Sequence, residues 1–194
     1  MNQITRPARV AQLPPRERIV DAAHALFMEQ GITRVTVDAI AAEAGSTKMT
    51  LYRHFQTKDV LVMEWLRLLT EHYSAVLDDL AAQWPEQPAQ QLLGFAQFIA
   101  GDIAAAGYRG CPFTNSLAEL ADPQHPAPLL IKAHKQRQFE RLVGLCEQAK
   151  LPGPEAVARE LTFLLEGAQV VAQNKGIADV GEHLLDMVRA RISR

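Results

Sequence analysis

Residues 36–55 read TVDAIAAEAGSTKMTLYRHF, and this stretch decides the fold. Thr36 suits the N-cap of a short helix from Val37 to Ala44, because its hydroxyl can accept from an unpaired N–H of the first turn. Gly45 stops that helix and can take the positive φ that a tight turn demands. Thr47 then caps a second short helix that reaches about His54. Ile40, Ala44 and Leu51 are spaced to pack both helices against Phe27 of a preceding helix, and Ala41 is small enough to sit where the helices cross. The pattern predicts a helix-turn-helix.

Such a motif points its second helix into the major groove of double-stranded DNA, N-terminal residues toward the base edges. Here that end is Thr47, Lys48, Met49 and Thr50, followed by Tyr52. Hydroxyls, a lysine and a phenol suit phosphate oxygens and base edges. The helix that starts at Thr36 can offer backbone N–H groups to a phosphate.

Working outward, hydrophobic spacing is helical nearly everywhere, so the fold class is all-α. Pro14-Pro15 opens a first helix at about 15–30, with Ile19, Ala23, Leu26 and Phe27 on one face and Gly31 as its stop. A long helix spans about 58–83, broken by Trp84-Pro85-Glu86-Gln87-Pro88. Further helices are expected at about 88–106, 114–121, 126–149, 154–173 and 180–193. The division expected is a helix-turn-helix domain over 1–57 and a helical ligand-binding and dimerisation domain over 58–194.

Composition fits that division. With 194 residues and 48% hydrophobic, the chain can bury a sizeable core. The formal charge is -2, but residues 1–60 carry eight Lys/Arg against six Asp/Glu, and the rest twelve against sixteen. That is a basic head on an acidic body. No apolar run approaches the roughly 18 residues of a membrane span, and the polar, basic first residues show no secretory signal. Cys111 and Cys146 lack metal-ligand spacing, so a reducing cytoplasm is the expected compartment, with no metal and no cofactor. Neither GxSxG, HExxH nor a phosphate-binding glycine loop occurs, which argues against an enzyme.

The run Leu26-Phe27, Gly31, Thr36-Val37, Ile40-Ala41, Ala44-Gly45, Thr47-Lys48, Thr50-Leu51-Tyr52, His54-Phe55, Lys58 and Leu61 resembles the tetracycline-repressor (TetR) family. The resemblance implies a homodimeric repressor on a palindromic operator, released by a small-molecule effector held in the C-terminal domain. It also implies that Thr36, Thr47, Tyr52, His54 and Lys58 occupy phosphate-contacting positions, and that Lys48, Met49, Thr50 and Arg53 lie on the recognition helix. Ser46 departs from the usual apolar residue after the turn glycine, and Met49 from a small one. A cation at the N-terminus of a helix opposes its dipole, so a phosphate partner would account for Lys58. The segment RGCPFTNSLAEL (109–120) looks like one subgroup of these regulators.

For an effector pocket, aromatic and polar groups on otherwise apolar helices are the candidates. Trp65, His72, Phe95 and Phe98 come from the first half of the body, with Cys111, Phe113, Asn115 and His134 following. Phe163, Glu166 and Gln169 complete the set; each aromatic also fits plain core packing. Asn115, Glu119 and Glu166 need polar partners amid apolar helices, and a ligand is one such partner. Cys111 beside Arg109 is open to two readings, an inert half-buried thiol or a sensor of oxidants. For the dimer, the last two helices offer Leu161, Leu164, Ala168 and Val171, then Leu184, Leu185, Val188 and Ile192. Two such striped helices can pair with their symmetry mates into a four-helix bundle, or serve as intrachain core.

Overall fold

The computed structural model describes residues 13–105, 107–120, 122 and 124–193, and among them every regular element is helical. The first helix, α1 (Pro15–Gln30), starts on Pro15, whose missing N–H belongs to a position that has no helical partner anyway. Helices α2 (Val37–Glu43) and α3 (Lys48–His54) follow, capped as their sequence requires. The Thr36 hydroxyl accepts from Ala39 N–H, and the Thr47 hydroxyl from Thr50 N–H, both at 3.1 Å. Between them Gly45 has a φ of 55°, the left-handed turn expected of it. Ile40 and Leu51 are fully buried in the hydrophobic cluster that also holds Phe27.

Arg18 secures this turn from below. Its guanidinium donates to the carbonyls of Ala44 at 3.0 Å and Gly45 at 3.4 Å, two acceptors that the end of α2 leaves without helical donors.

The body consists of α4 (Lys58–Gln83), α5 (Pro88–Ala104), α6 (Pro112–Glu119), α7 (Ala127–Gln148), α8 (Pro154–Asn174) and α9 (Val180–Ile192). Thr57 caps α4, accepting from Val60 N–H at 3.2 Å. Helix α6 begins two residues before its expected start, because Pro112 serves as first-turn proline after Cys111. Helix α9 lies along α5 and α8, burying Leu184 and Val188 inside the protomer. One continuous hydrophobic cluster runs from Ile19 to Val188, so the three-helix head shares its core with the body. Arg6 and Arg9, which contribute to the basic balance of residues 1–60, lie outside the described residues.

Three polar joins between head and body involve charged side chains. Arg16 of α1 pairs with Glu64 of α4, and its guanidinium stands 5.3 Å over the Phe55 ring. Lys58 donates from Nζ to the carbonyl of Ile32 at 2.5 Å. Glu119 of α6 accepts from Thr33 N–H at 2.8 Å, its carboxylate seated against Gly31 at φ 85°. A Cβ at position 31 would stand 2.5 Å from that carboxylate. Gly31→Ala is therefore expected to lower stability by about 1–2 kcal/mol, from the positive φ and the displaced carboxylate together, read as a lower urea midpoint.

Candidate nucleic-acid interface and interior cavity

The outer surface of the head is built by α2 and α3. Thr36, Thr47, Lys48, Arg53 and His54 are exposed on it, Tyr52 is 41% and Met49 83% exposed, and Thr50 is partly covered. The structure thus brings eight of the nine sequence-derived candidates onto the short helices and their caps. Lys48 pairs with Asp38 across the two helices at 3.1 Å, with both side chains in solvent. An ion pair that exposed contributes little and leaves the lysine free to exchange partners. Met49 projects a large apolar side chain into water among these polar groups.

Lys58 differs from its expected setting. Its side chain is partly buried, and burial holds its ammonium pKa below the ordinary lysine value against the nearby acids Asp59 and Glu119. The Ile32 carbonyl and these acids compensate the cation at the helix N-terminus, so a phosphate is not needed to explain it.

Behind the head lies a cavity of about 610 Å³. His24, Phe27, Met28 and Ile32 form its roof from α1 and the loop beyond it. Trp65, Leu69, His72 and Tyr73 of α4 make one wall, Phe98 and Asp102 of α5 a second. Asn115, Ser116 and Glu119 of α6, with Gln169 of α8 and Tyr108 of the preceding loop, close it. Trp65 is 3% exposed; its indole N–H donates to His24 Nδ1 at 3.1 Å, and its ring meets Phe27 edge-on at 5.2 Å. Burial lowers the pKa of His24, which keeps the imidazole neutral and able to accept. Tyr108 donates to Gln169 Oε1 at 3.4 Å, and Asn115 donates to the Arg109 carbonyl at 2.7 Å.

Of the expected pocket residues, Trp65, His72, Phe98, Asn115 and Gln169 line this cavity. The others do not. Phe95 and Phe113 are fully buried as core. His134 stacks against Phe113 at 4.5 Å and lines a separate cavity of about 180 Å³ beside Arg137 and Arg141. Burial depresses the His134 pKa to about 4, and its Nε2, like Gln138 Oε1, has no partner among the described residues. Phe163 is 69% exposed and faces outward, away from any interior site. Glu166 already has a partner, Lys135 at 2.5 Å. The same ammonium stands 3.9 Å from Cys111 Sγ and 5.2 Å from the Phe113 ring centroid. Cys111 is 4% exposed, inside the protomer and next to Lys135.

The expected interface set also needs correction. Leu161, Ala168, Leu184 and Val188 are buried within the protomer, the last two at 0% and 1% exposure, because α9 turns that stripe toward α5 and α8. Leu164, Leu185 and Ile192 are partly buried against the same core, and Val171 is half-exposed. The exposed apolar face of these helices consists instead of Phe163, Gly167 and Val170 on α8 and Met187 and Ala190 on α9. Sequence reasoning missed Arg18, His24, Tyr73, Asp102 and Tyr108. Asp102 had a readable signal, an acid in the last turn of a helix; the rest depend on which helices meet.

The pattern of bacterial regulatory proteins of the tetR family matches residues 19–64. SCO4454, a TetR-family transcriptional regulator from Streptomyces coelicolor, is 32% identical, with a TM-score of 0.83 over 92% of this chain and 94% of that one. The HTH-type transcriptional regulator YjdC of Escherichia coli (strain K12) is 25% identical over 183 residues, 91% of this chain and 96% of that protein. A TetR transcriptional regulator from Legionella pneumophila shares the fold at a TM-score of 0.80 and 18% identity, over 94% and 98% of the two chains.

The join between head and body should respond to acid. The Arg67 guanidinium, with Arg16 beside it, holds the Glu64 carboxyl down to about 2 from an ordinary 4.5. A depressed carboxylate stabilises the folded state above the unfolded pKa, and that contribution is lost as pH falls from about 4.5 toward 2. Thermal melts between pH 5 and 2.5 should therefore show a shallower loss of Tm in Glu64→Gln than in the wild type.

Proposed function

The chain belongs to the TetR family of transcriptional regulators, and from that premise we propose a homodimeric repressor that a small-molecule effector releases from a palindromic operator. The observation that carries the effector reading is the cavity behind the head, whose walls come from α1 as well as from α4, α5, α6 and α8. Anything that fills it touches both the part that would read DNA and the part that would hold the ligand. In this reading residues 1–57 are the DNA-binding domain and 58–194 the ligand-binding and dimerisation domain.

On DNA, each protomer inserts α3 into one of two successive major grooves, about 34–36 Å apart. Thr36, Thr47, Tyr52 and His54 contact phosphates, and Lys48, Met49, Thr50 and Arg53 face the bases. The exposed methionine suits thymine methyl groups. The spacing of the two heads is set by the dimer, for which the exposed faces of α8 and α9 are the self-complementary surface: Phe163, Gly167, Val170, Met187 and Ala190 pair with their symmetry mates.

Effector binding acts through α6. That helix supplies a cavity wall through Asn115 and Ser116, and its last residue, Glu119, holds the loop after α1 by Thr33 N–H. A ligand that shifts α6 pulls on this loop and re-aims the head. To change the equilibrium it must bind the released arrangement more tightly than the DNA-bound one.

A gel shift on DNA flanking the protein's own coding region should give one sequence-specific complex with a palindrome; binding that ignores sequence ends the operator reading. Lys58→Met separates two roles. If Lys58 also reaches a phosphate, affinity falls and the slope of log K against log salt shrinks by about 1. A lower Tm with an unchanged slope assigns it to the Ile32 carbonyl alone. Val170→Glu should convert the dimer to a monomer in sedimentation analysis, and an unchanged mass would remove α8 from the interface.

A further inference from the structure

We propose that the cavity takes a small organic cation, an ammonium on an aromatic or alkyl body, with the ammonium against Asp102 and the body along Trp65 and Phe98. This deepens the effector reading above and rests on it.

Asp102 is the unusual group in the wall. It sits in the last turn of α5, where the helix dipole is negative and no basic residue offsets it. It is half-buried, so its charge also loses hydration, and burial raises its carboxyl pKa. His72 and the Tyr73 hydroxyl oppose that shift, but no lysine or arginine among the described residues pairs with it. An acid placed where dipole and burial both disfavour its ionised form gains from a cation brought against it.

The surroundings suit an organic cation better than a metal ion. Phe98 meets Tyr73 edge-on at 5.1 Å and His72 at 5.7 Å, and Tyr108 lines the same wall. Aromatic faces attract an ammonium through their quadrupole and shield it from water, most strongly when the site is desolvated. Further along, Trp65, Phe27 and Leu69 provide an apolar surface for the rest of the molecule. The formal charges of the wall agree: it is lined by Glu29, Asp102 and Glu119 but by a single arginine or lysine, Arg109, while burial disfavours the charged form of His24. A volume of about 610 Å³ is in the range of small-molecule sites.

The test uses four probes on the full-length protein bound to its operator: 2-phenylethylammonium, benzyltrimethylammonium, 2-phenylethanol and phenylacetate. Calorimetric titration and tryptophan fluorescence read binding, and loss of the gel-shifted complex reads release. Both ammonium probes should bind at least about tenfold tighter than the alcohol, with phenylacetate weakest. Asp102→Asn, checked for native helicity by circular dichroism, should erase that preference, and Asp102→Glu should retain it. Equal or tighter binding of phenylacetate, an Asp102→Asn protein with the preference intact, or no binding of either ammonium overturns the proposal. The two readings fail separately. Release of DNA by the neutral or anionic probe alone keeps an effector site and removes the cationic one. Ammonium binding with the stated preference, but with DNA still bound, keeps the cation site and removes the effector role.

Discussion

Trp65 is the fixed point between head and body. Its ring packs edge-on against Phe27 of α1, its N–H is held by His24 of the same helix, and its remaining surface forms cavity wall. A buried indole N–H without an acceptor would lose roughly 1–3 kcal/mol, so the bond to His24 fixes the registry of α1 on α4. The core of the head is continuous with that of the body, since Phe27 and Ile19 belong to the cluster that extends to α9. Its orientation follows the first helix of the body. A regulator whose reading surface moves with its interior needs such a join, close to the ligand space and shared by both parts.

Around this seam the polar joins differ in strength. Arg16–Glu64 belongs to a chain of charges through Arg67 to Glu71, largely open to water, and such pairs contribute modestly and weaken with salt. The Lys58–Ile32 and Glu119–Thr33 contacts each engage a backbone group of the loop that follows α1. That loop is held from two sides, by the start of α4 and the end of α6. Only the second side is also a cavity wall.

The sequence made the head legible because its signals are local. Thr36 and Thr47 cap within three residues, Gly45 turns on its own φ, and Ile40 and Leu51 are spaced for one small core. Helix positions in the body were equally readable from proline, glycine and apolar period. The faces were not. The stripe Leu184–Val188 has the spacing of an interface and of a core alike, and only the packing of α9 on α5 and α8 decides for the core. Glu166 looked like a polar group awaiting a ligand until α7 supplied Lys135, and Phe163 was placed indoors although its turn of α8 faces out. The intrachain partner of Lys58 was illegible for the same reason, because a carbonyl twenty-six positions earlier leaves no trace in the neighbouring residues.

The seat of Glu119 against Gly31 carries an evolutionary consequence. A side chain at position 31 and a carboxylate at position 119 claim the same space, so a Cβ only 2.5 Å away would make the carboxylate swing aside. The two sites therefore cannot drift independently. A lineage that gives up the glycine must first shorten or reorient residue 119, and in doing so it abandons the tether to Thr33. Among descendants of this protein, those that keep the acid and its tether should keep the glycine as well.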